Sequence, residues 1–335
     1  MDREEHPFAP YVRILGRGKT LTRSLTQDEA EAAMAMILAG DVLPEQLGAF
    51  LMLLRVKEES PAEIAGFVRA ARKTFTLPAP LPAVDLDWSS YAGKRRQLPW
   101  FLLSALLLAQ TGTRVFMHGA EGHTPGRLYT RAVLEALDIP IAHSLADSAG
   151  HLNARNFAYL PLAELSPRLH AIIELRPIMG LRSPVHTIAR MLNPFAAPVV
   201  LQGVFHPNYL DIHQQAALLL GQNCMAAFRG EGGEIERRPG KPAEVRWARD
   251  GVASTEDWPA LLADAVQPTD REMELERLGA VWRGEAEDPY AEAAVTGTLA
   301  IALRALGRAA DPAAAQRAAE AMWRGRDRAR PGLAA

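Results

Sequence analysis

The sequence predicts an α/β protein with a small amino-terminal helical domain and a larger, mostly parallel α/β domain. Three observations support this prediction. The chain has 335 residues, a length typical of more than one domain. Its first 75 residues carry helix signals without a strand pattern. Residues 85–119 then read as strand, polar turn, apolar helix and strand, which is the order of a parallel βαβ unit.

The amino-terminal helices are predicted from their start signals. Thr26 is a suitable N-cap, and Glu29 three residues later completes a capping box. Ser60 and Glu63 repeat this pattern, with Pro61 in the first turn. We therefore expect consecutive helices that pack on one another.

The predicted domain boundary lies in a proline-rich connection. Residues 1–76 form the helical domain, and the extended segment LPAPLPAV leads into an α/β domain over residues 84–335. Helices within about residues 165–192 are expected to pack back onto the helical domain.

Composition excludes several classes of protein. Charged residues make up 23% and hydrophobic residues 48% of the chain, which is ordinary for a globular protein. No apolar run approaches the ~20 residues of a membrane helix, and the first residues lack signal-peptide character. The single cysteine, Cys224, lies in an apolar context and is expected to be a buried thiol. We expect a cytoplasmic protein without a membrane partner.

The net charge of −2 gives no overall attraction to nucleic acid, so such binding requires a local basic patch. One patch occurs in the central stretch. The strand at Asp85–Trp88 leads into a turn at Ser89–Gln97, and an apolar helix at Leu98–Gln110 and a strand at Thr113–Met117 follow. The turn contains Lys94-Arg95-Arg96, and a first βα turn lies where α/β proteins bind ligands. Tyr91 is the candidate for stacking on a base.

Three segments carry a resemblance to a known family. LTQDEAEAAMAMILAGDVLPEQLGAFLMLLRVKEESPAEIAGFVRAAR, FMHGAEGHTPGRLYTRAVLEALDIP and LRPIMGLRSPVHTIARMLNP resemble segments of the anthranilate phosphoribosyltransferase and nucleoside phosphorylase family. The resemblance covers nearly the whole chain. It implies a helical domain, a parallel α/β domain, an active site between them, and a homodimer formed through the helical domains.

The phosphate and metal motifs depart from that family's pattern. A glycine-rich GTGGD turn is replaced by Tyr91–Arg95, in which Gly93 is the single glycine, and side chains there obstruct close approach of a diphosphate. The KHGNRS loop has become Met117–Gly122, which retains His118 and Gly119. The nearest match to the magnesium-binding Asp-Glu pair is GEGGEIE. We therefore assign no catalytic residue, no metal ligand and no cofactor.

The remaining motifs resemble the YbiB-like branch of this fold. They are GRGK, SYAGKRRQ, GLRSPVHTIARMLNPF, GVFHPNY and GEGGEI. The resemblance implies a dimer that binds single-stranded DNA or RNA without base specificity. The basic positions carried over from it are Arg17, Lys19, Lys94, Arg95, Arg182 and Arg190, with Arg96 as a looser match.

Two functional hypotheses follow, and a third is less specific. The first is a nucleic-acid-binding homodimer on a fold that has lost its transferase machinery. The alternative is a phosphoribosyltransferase or glycosyltransferase of the same family with altered phosphate loops, for which Gly119 and the GEGGEIE stretch are the remaining support. The third is a dimeric scaffold that holds a small ligand in the former active site.

Overall fold

A computed structural model describes residues 4–18, 20–263, 268–270 and 272–329. Its described amino-terminal part consists of helices that precede the first strand. They are α1 (Ala9–Gly16), α2 (Gln27–Ala39), α3 (Pro44–Lys57) and α4 (Pro61–Arg72).

Both predicted capping boxes are confirmed. The Thr26 hydroxyl accepts a hydrogen bond from the Glu29 backbone nitrogen at 3.2 Å, and the Glu29 carboxylate accepts one from the Thr26 nitrogen at 2.8 Å. Ser60 and Glu63 make the same reciprocal pair at the start of α4. The buried Glu63 carboxylate also accepts a hydrogen bond from the Leu25 nitrogen at 2.9 Å, so one cap ties α4 to the start of α2.

One seven-stranded sheet follows, and it confirms the predicted fold class. The order across the sheet is β3-β2-β1-β4-β5-β6-β7. The first five strands in this order pair in parallel, and β6 and β7 add an antiparallel hairpin. The carboxyl ends of the parallel strands therefore meet at one edge. The strands are β1 (Leu86–Ser90), β2 (Val115–Gly119), β3 (Phe157–Pro161), β4 (Val199–Val204), β5 (Cys224–Arg229), β6 (Ala243–Arg249) and β7 (Val252–Trp258).

Helices cover both faces of this sheet. In the described ranges they are α5 (Phe101–Gln110), α6 (Thr130–Ala136), α7 (Leu145–Arg155), α8 (Leu162–Leu165), α9 (Pro167–Ile173), α10 (Arg176–Met179), α11 (Val185–Ala189), α12 (Tyr209–Leu219), α13 (Glu276–Arg283), α14 (Pro289–Ala305) and α15 (Pro312–Arg324). The apolar helix α5 is buried as expected, and its Ser104 hydroxyl donates to the Val295 carbonyl in α14 at 2.9 Å.

The central turn is longer than the sequence indicates. β1 ends at Ser90 and α5 begins at Phe101, instead of ending at Trp88 and beginning at Leu98. The reason is a two-residue backbone bridge that holds the turn against a later loop. The Lys94 nitrogen donates to the Leu128 carbonyl at 2.8 Å, and the Leu128 nitrogen donates back at 2.7 Å.

The segment that follows α11 lies against the helical domain. The Arg72 side chain at the end of α4 donates hydrogen bonds to the Leu192 and Met191 carbonyls at 2.8 and 3.0 Å. Cys224 is buried, and this burial raises the pKa of its thiol, as expected for an inert cysteine. Among the described residues, no helix has the length and apolar character needed to span a membrane.

Candidate ligand-binding site at the carboxyl edge of the sheet

The turn after β1 binds a carboxylate of the protein itself, that of Glu234. The backbone nitrogens of Ala92 and Gly93 each donate a hydrogen bond of 2.6 Å to the same carboxylate oxygen, Oε1 of Glu234. Glu234 is only 1% exposed. Backbone amides converging in this way form an anion-binding concavity. A carboxylate from the GEGGEIE segment therefore occupies the position that a phosphate oxygen would need.

A second carboxylate from the same segment occupies the start of α5. Glu236 Oε2 accepts a hydrogen bond from the Phe101 nitrogen at 3.0 Å, and its Oε1 forms a buried ion pair with Lys94. Burial raises the pKa of Glu236, and the charge of Lys94 opposes that shift. Lys94 is 1% exposed. Its prediction as a groove cation is therefore wrong, because its charge is used inside the protein.

Tyr91 is also buried, at 1% exposure, so it offers no surface for base stacking. Its hydroxyl lies 2.7 Å from His118 Nδ1, and His118 Nε2 lies 3.2 Å from Asp87 Oδ1. The Phe116 ring stacks on the His118 imidazole, with 5.8 Å between the ring centroids. Tyr91 thus ends a buried hydrogen-bonded chain that links β1 to β2, and its prediction as a stacking residue is corrected.

The two glycines of the predicted loops have steric roles. A Cβ atom at Gly119 would lie 2.1 Å from the Ser90 carbonyl oxygen, so the pairing of β1 with β2 requires glycine there. Gly93 has a φ of 66°, and a Cβ atom on it would lie 2.9 Å from the Tyr129 ring. Both glycines are explained by packing of the protein on itself.

The predicted cations divide by position. Arg95 and Arg96 are exposed in the central turn, and Arg17 is exposed at the end of α1. Lys19 lies outside the described residues. Arg182 and Arg190 are half-buried at the cleft between the helical domain and the sheet. Of the predicted cations, Arg17, Arg95 and Arg96 are thus open to solvent, and Arg182 and Arg190 line the cleft.

Arginines cluster around the loop after β2. Arg176 Nη1 donates to the Thr124 hydroxyl at 2.6 Å, and Arg182 Nη2 lies 3.3 Å from the same oxygen. Arg127 Nη1 donates to the Ala92 carbonyl at 2.7 Å. Burial, followed by the charges of Arg127, Arg176 and Arg190, lowers the pKa of Arg182 to about 10. Such mutual repulsion is relieved by a bound anion.

Arg176 was not among the predicted cations, although it lies in the LRPIMGLRS motif. The guanidinium of Arg190 extends this cluster toward the turn after β1, which the Glu234 carboxylate occupies. It lies 5.9 Å from the centroid of the Tyr91 ring. Burial lowers the pKa of Arg190, and the charge of Glu234 opposes the shift. In the described part of the chain, neither Arg95 and Arg96 nor the arginines of this cluster form a salt bridge. The arginines that do are Arg13, Arg23, Arg69, Arg131, Arg246, Arg277, Arg283 and Arg304.

A cavity of about 140 Å³ opens between α3, the segment before α11, and the carboxyl end of β4. Two of its lining atoms, Ser183 Oγ and His186 Nε2, are buried and have no hydrogen-bond partner among the described residues. Burial and then the charges around it hold the pKa of His186 well below its ordinary value, so this imidazole is neutral. Further lining residues are Arg55, Glu59, Arg182, Arg190, Phe205, His206, Tyr209 and His213.

The magnesium site of the transferase fold does not fit these residues. Oε1 of Glu234 accepts the two amide hydrogen bonds, and Glu236 is paired with Lys94. Within the described ranges, no group of three or more His, Cys, Asp or Glu side chains is arranged to hold a metal. Of the four carboxylate oxygens of these two residues, only Glu234 Oε2 has no hydrogen-bond partner among the described residues, and magnesium needs several oxygen ligands together with substrate phosphates.

Comparison with known proteins identifies the family. Residues 9–75 match the model of the glycosyl transferase family, helical bundle domain. The chain is 33% identical to the uncharacterized protein YbiB of Escherichia coli over 71% of this chain and 75% of the relative. It is 30% identical to an anthranilate phosphoribosyltransferase of Oleidesulfovibrio alaskensis over 79% of this chain and 82% of the relative.

Solved structures show the same fold. The anthranilate phosphoribosyltransferase of Thermus thermophilus superposes with a TM-score of 0.76 at 21% identity, covering 95% of this chain and 94% of that one. The Saccharomyces cerevisiae enzyme in complex with PRPP and Mg gives 0.75 at 13% identity, covering 96% and 94%. Taken with the helical domain, the parallel sheet and the cleft between them, these relationships show that the chain belongs to the anthranilate phosphoribosyltransferase-like glycosyl transferase family, in its YbiB-like branch.

Proposed function

We propose that this chain binds single-stranded nucleic acid along the carboxyl edge of its sheet and does not transfer a phosphoribosyl group. The observation that carries this proposal is the position of Glu234. Its carboxylate accepts the amide hydrogen bonds of Ala92 and Gly93, so a diphosphate would have to displace a buried anion of the protein. The family's turn for a small phosphate ligand is thereby occupied.

The arginines at the same edge support a longer anion. Arg95 and Arg96 are exposed, Arg182 and Arg190 line the cleft, and none of the four forms a salt bridge with a described residue. A phosphodiester chain presents repeated negative charges that several guanidinium groups can neutralise. Contacts to phosphate do not distinguish one base from another, so binding through them is independent of the nucleotide sequence.

The test is a titration of a labelled single-stranded oligonucleotide, followed by fluorescence anisotropy at two salt concentrations. The parent should bind, with an affinity that falls steeply as salt rises. The variant R95A/R96A should bind more weakly and lose about 1.4 from the slope of log affinity against log salt, since each phosphate contact on a single strand contributes about 0.7.

The matched control is R246A/R283A. It also removes two surface arginines, but both are paired, Arg246 with Glu244 at 2.7 Å and Arg283 with Glu285 at 2.7 Å. This control should leave the slope unchanged. An absence of binding by the parent at low salt, or equal behaviour of the two variants, would count against the proposal.

The second candidate is phosphoribosyl transfer, and the comparisons taken alone favour it. Two relatives with a named activity are anthranilate phosphoribosyltransferases at 30% identity to this chain. A thermal melt with phosphoribosyl diphosphate and magnesium separates the two functions. A ligand at 100 times its dissociation constant adds about 2.7 kcal/mol to the unfolding free energy, and we expect no such stabilisation.

The proposed assembly is a homodimer formed through the helical domains, as the resemblance to the family implies. Light scattering on the eluting protein checks it. A homodimer has twice the 36.5 kDa mass of one chain.

A further inference from the structure

The loop after β4 presents an aromatic side chain to solvent at the edge where the arginines lie. We infer that Phe205 is the side chain on which a base of the bound strand stacks. This inference rests on the proposed function and adds an aromatic residue to the arginines of the proposed site. It replaces the buried Tyr91 as the aromatic member of the site.

Exposure distinguishes Phe205 from all other aromatic residues. Its relative exposure is 56%, and every other Phe, Tyr and Trp of the chain, all of which lie in the described ranges, is buried or half-buried. A single exposed apolar side chain is ordinary on a protein surface. A benzyl side chain at a ligand-binding edge is different, because it leaves a flat apolar surface in water where a ligand can cover it.

The position of Phe205 is that of a ligand-binding residue. It directly follows Val204, the last residue of β4, so it lies at the carboxyl edge of the parallel sheet. It lines the same cavity as Arg182 and Arg190. The Phe205 backbone carbonyl accepts a hydrogen bond from Arg229 Nε at 3.4 Å. Phe205 thus shares a cavity with two arginines and bonds a third through its backbone.

The charges near Phe205 match a phosphodiester backbone. Burial and then the charge of Arg229 lower the pKa of Arg238, and the charge of Glu231 opposes this shift. Cations that hold the phosphates and an aromatic ring that stacks on the base are the usual pair of contacts to a single strand. Stacking tolerates any base, because every base has a π-face.

The ring is also held in place before a ligand arrives. His206 packs against it at 4.9 Å between ring centroids with an interplanar angle of 87°, an edge-to-face contact. A Cβ atom at Gly233 would lie 3.4 Å from the Phe205 Cβ, an ordinary van der Waals distance, so the segment after β5 packs beside the base of this side chain. A pre-ordered ring loses little conformational entropy when a base binds.

The experiment compares two oligonucleotides of equal length, one of thymidylates and one with abasic sugars, against the parent, F205A, F205L and F205W. F205A and F205L should bind the thymidylate strand about tenfold more weakly than the parent, within the range for loss of one base stack. F205W should match or exceed the parent. All variants should bind the abasic strand like the parent, with an unchanged salt slope, because no cation is removed.

The control V252A removes another exposed apolar side chain, in the β6–β7 hairpin, and should bind both strands like the parent. Equal affinity of F205A and the parent for the thymidylate strand would overturn the inference and leave the proposed function intact. An equal loss on the abasic strand would also overturn it, since stacking needs a base. If the parent binds neither strand, the proposed function fails and the inference fails with it.

Discussion

Oε1 of Glu234 lies 2.6 Å from the backbone nitrogen of Gly93, a residue with a φ of 66° in the turn after β1. The second oxygen, Oε2, is buried without a hydrogen-bond partner among the described residues. This one contact joins the two segments in which the sequence departs most from the transferase pattern. It also makes the anion-binding turn testable by substitution.

Removing this carboxylate should open the turn to inorganic anions. E234A is expected to lower the unfolding free energy by about 2 kcal/mol, because two charge-assisted hydrogen bonds are lost. Millimolar phosphate should then raise the melting temperature of E234A more than that of the parent. E234Q is the matched control, since its amide oxygen still accepts from Ala92 and Gly93. Equal stabilisation of the parent and E234A by phosphate would contradict this prediction.

The buried ion pair of Lys94 and Glu236 should show strong coupling. K94M leaves the Glu236 carboxylate buried without its counter-charge, which costs about 3–5 kcal/mol. E236Q in the same background should restore part of that loss, so the double variant should be more stable than the sum of the single effects indicates. Urea denaturation of the parent, both single variants and the double variant measures this coupling. Additive effects would mean that the pair carries no net interaction.

Histidine burial predicts a loss of stability in acid. Burial, with a smaller effect of Arg190, lowers the pKa of His213 to about 3 from an ordinary value near 6.5. Between these values the unfolded chain binds a proton and the folded chain does not, so stability falls as pH decreases, by about 1.4 kcal/mol per pH unit. H213N should reduce the slope of unfolding free energy between about pH 4 and 6 by that amount. An unchanged slope would show that His213 is protonated in the folded state.

Tyr209 should link the helical domain to the sheet through its hydroxyl group. This hydroxyl accepts from Arg55 Nη1 at 3.2 Å and donates to Glu59 Oε2 at 3.3 Å. Burial raises the pKa of Glu59, and the Tyr209 hydrogen bond opposes that shift. Y209F should therefore lower stability by about 1 kcal/mol. The loss should be larger near pH 8 than near pH 5, because the raised pKa makes Glu59 lose its charge as pH falls and the hydrogen bond favours the charged carboxylate. Denaturation at both pH values checks this, with Y290F as the matched control for loss of a tyrosine hydroxyl.

Local signals in the sequence were sufficient for the fold. The capping boxes at Thr26 and Ser60 depend on residues three positions apart, and the βαβ unit depends on one apolar helix between two strands. Such features are local, so one sequence is enough to find them. The comparisons support the predicted family and the transferase alternative, and they leave nucleic-acid binding as a proposal.

The site was harder to predict because its partners are far apart in the chain. Lys94 looks like an exposed cation until Glu236, 142 residues later, is placed beside it. Tyr91 looks like a surface aromatic until His118 is placed beside its hydroxyl, with Asp87 on the other side of the imidazole. Phe205 sits in the GVFHPNY motif, yet only the structure shows that its ring is exposed. Burial and long-range pairing, which decide each of these cases, cannot be read from local pattern.

The distance along the chain between the turn and its carboxylates also affects how the protein is made. During synthesis the amides of Ala92 and Gly93 leave the ribosome long before Glu234 does, since Glu234 lies 142 and 141 residues after them, respectively. Contacts between such distant residues form late, after the loop between them has closed. Until the strand β5 and the segment after it emerge, the nascent βαβ unit has an open anion-binding turn and an unpaired lysine. A nascent chain that stops before residue 230 therefore has no carboxylate of its own for this turn.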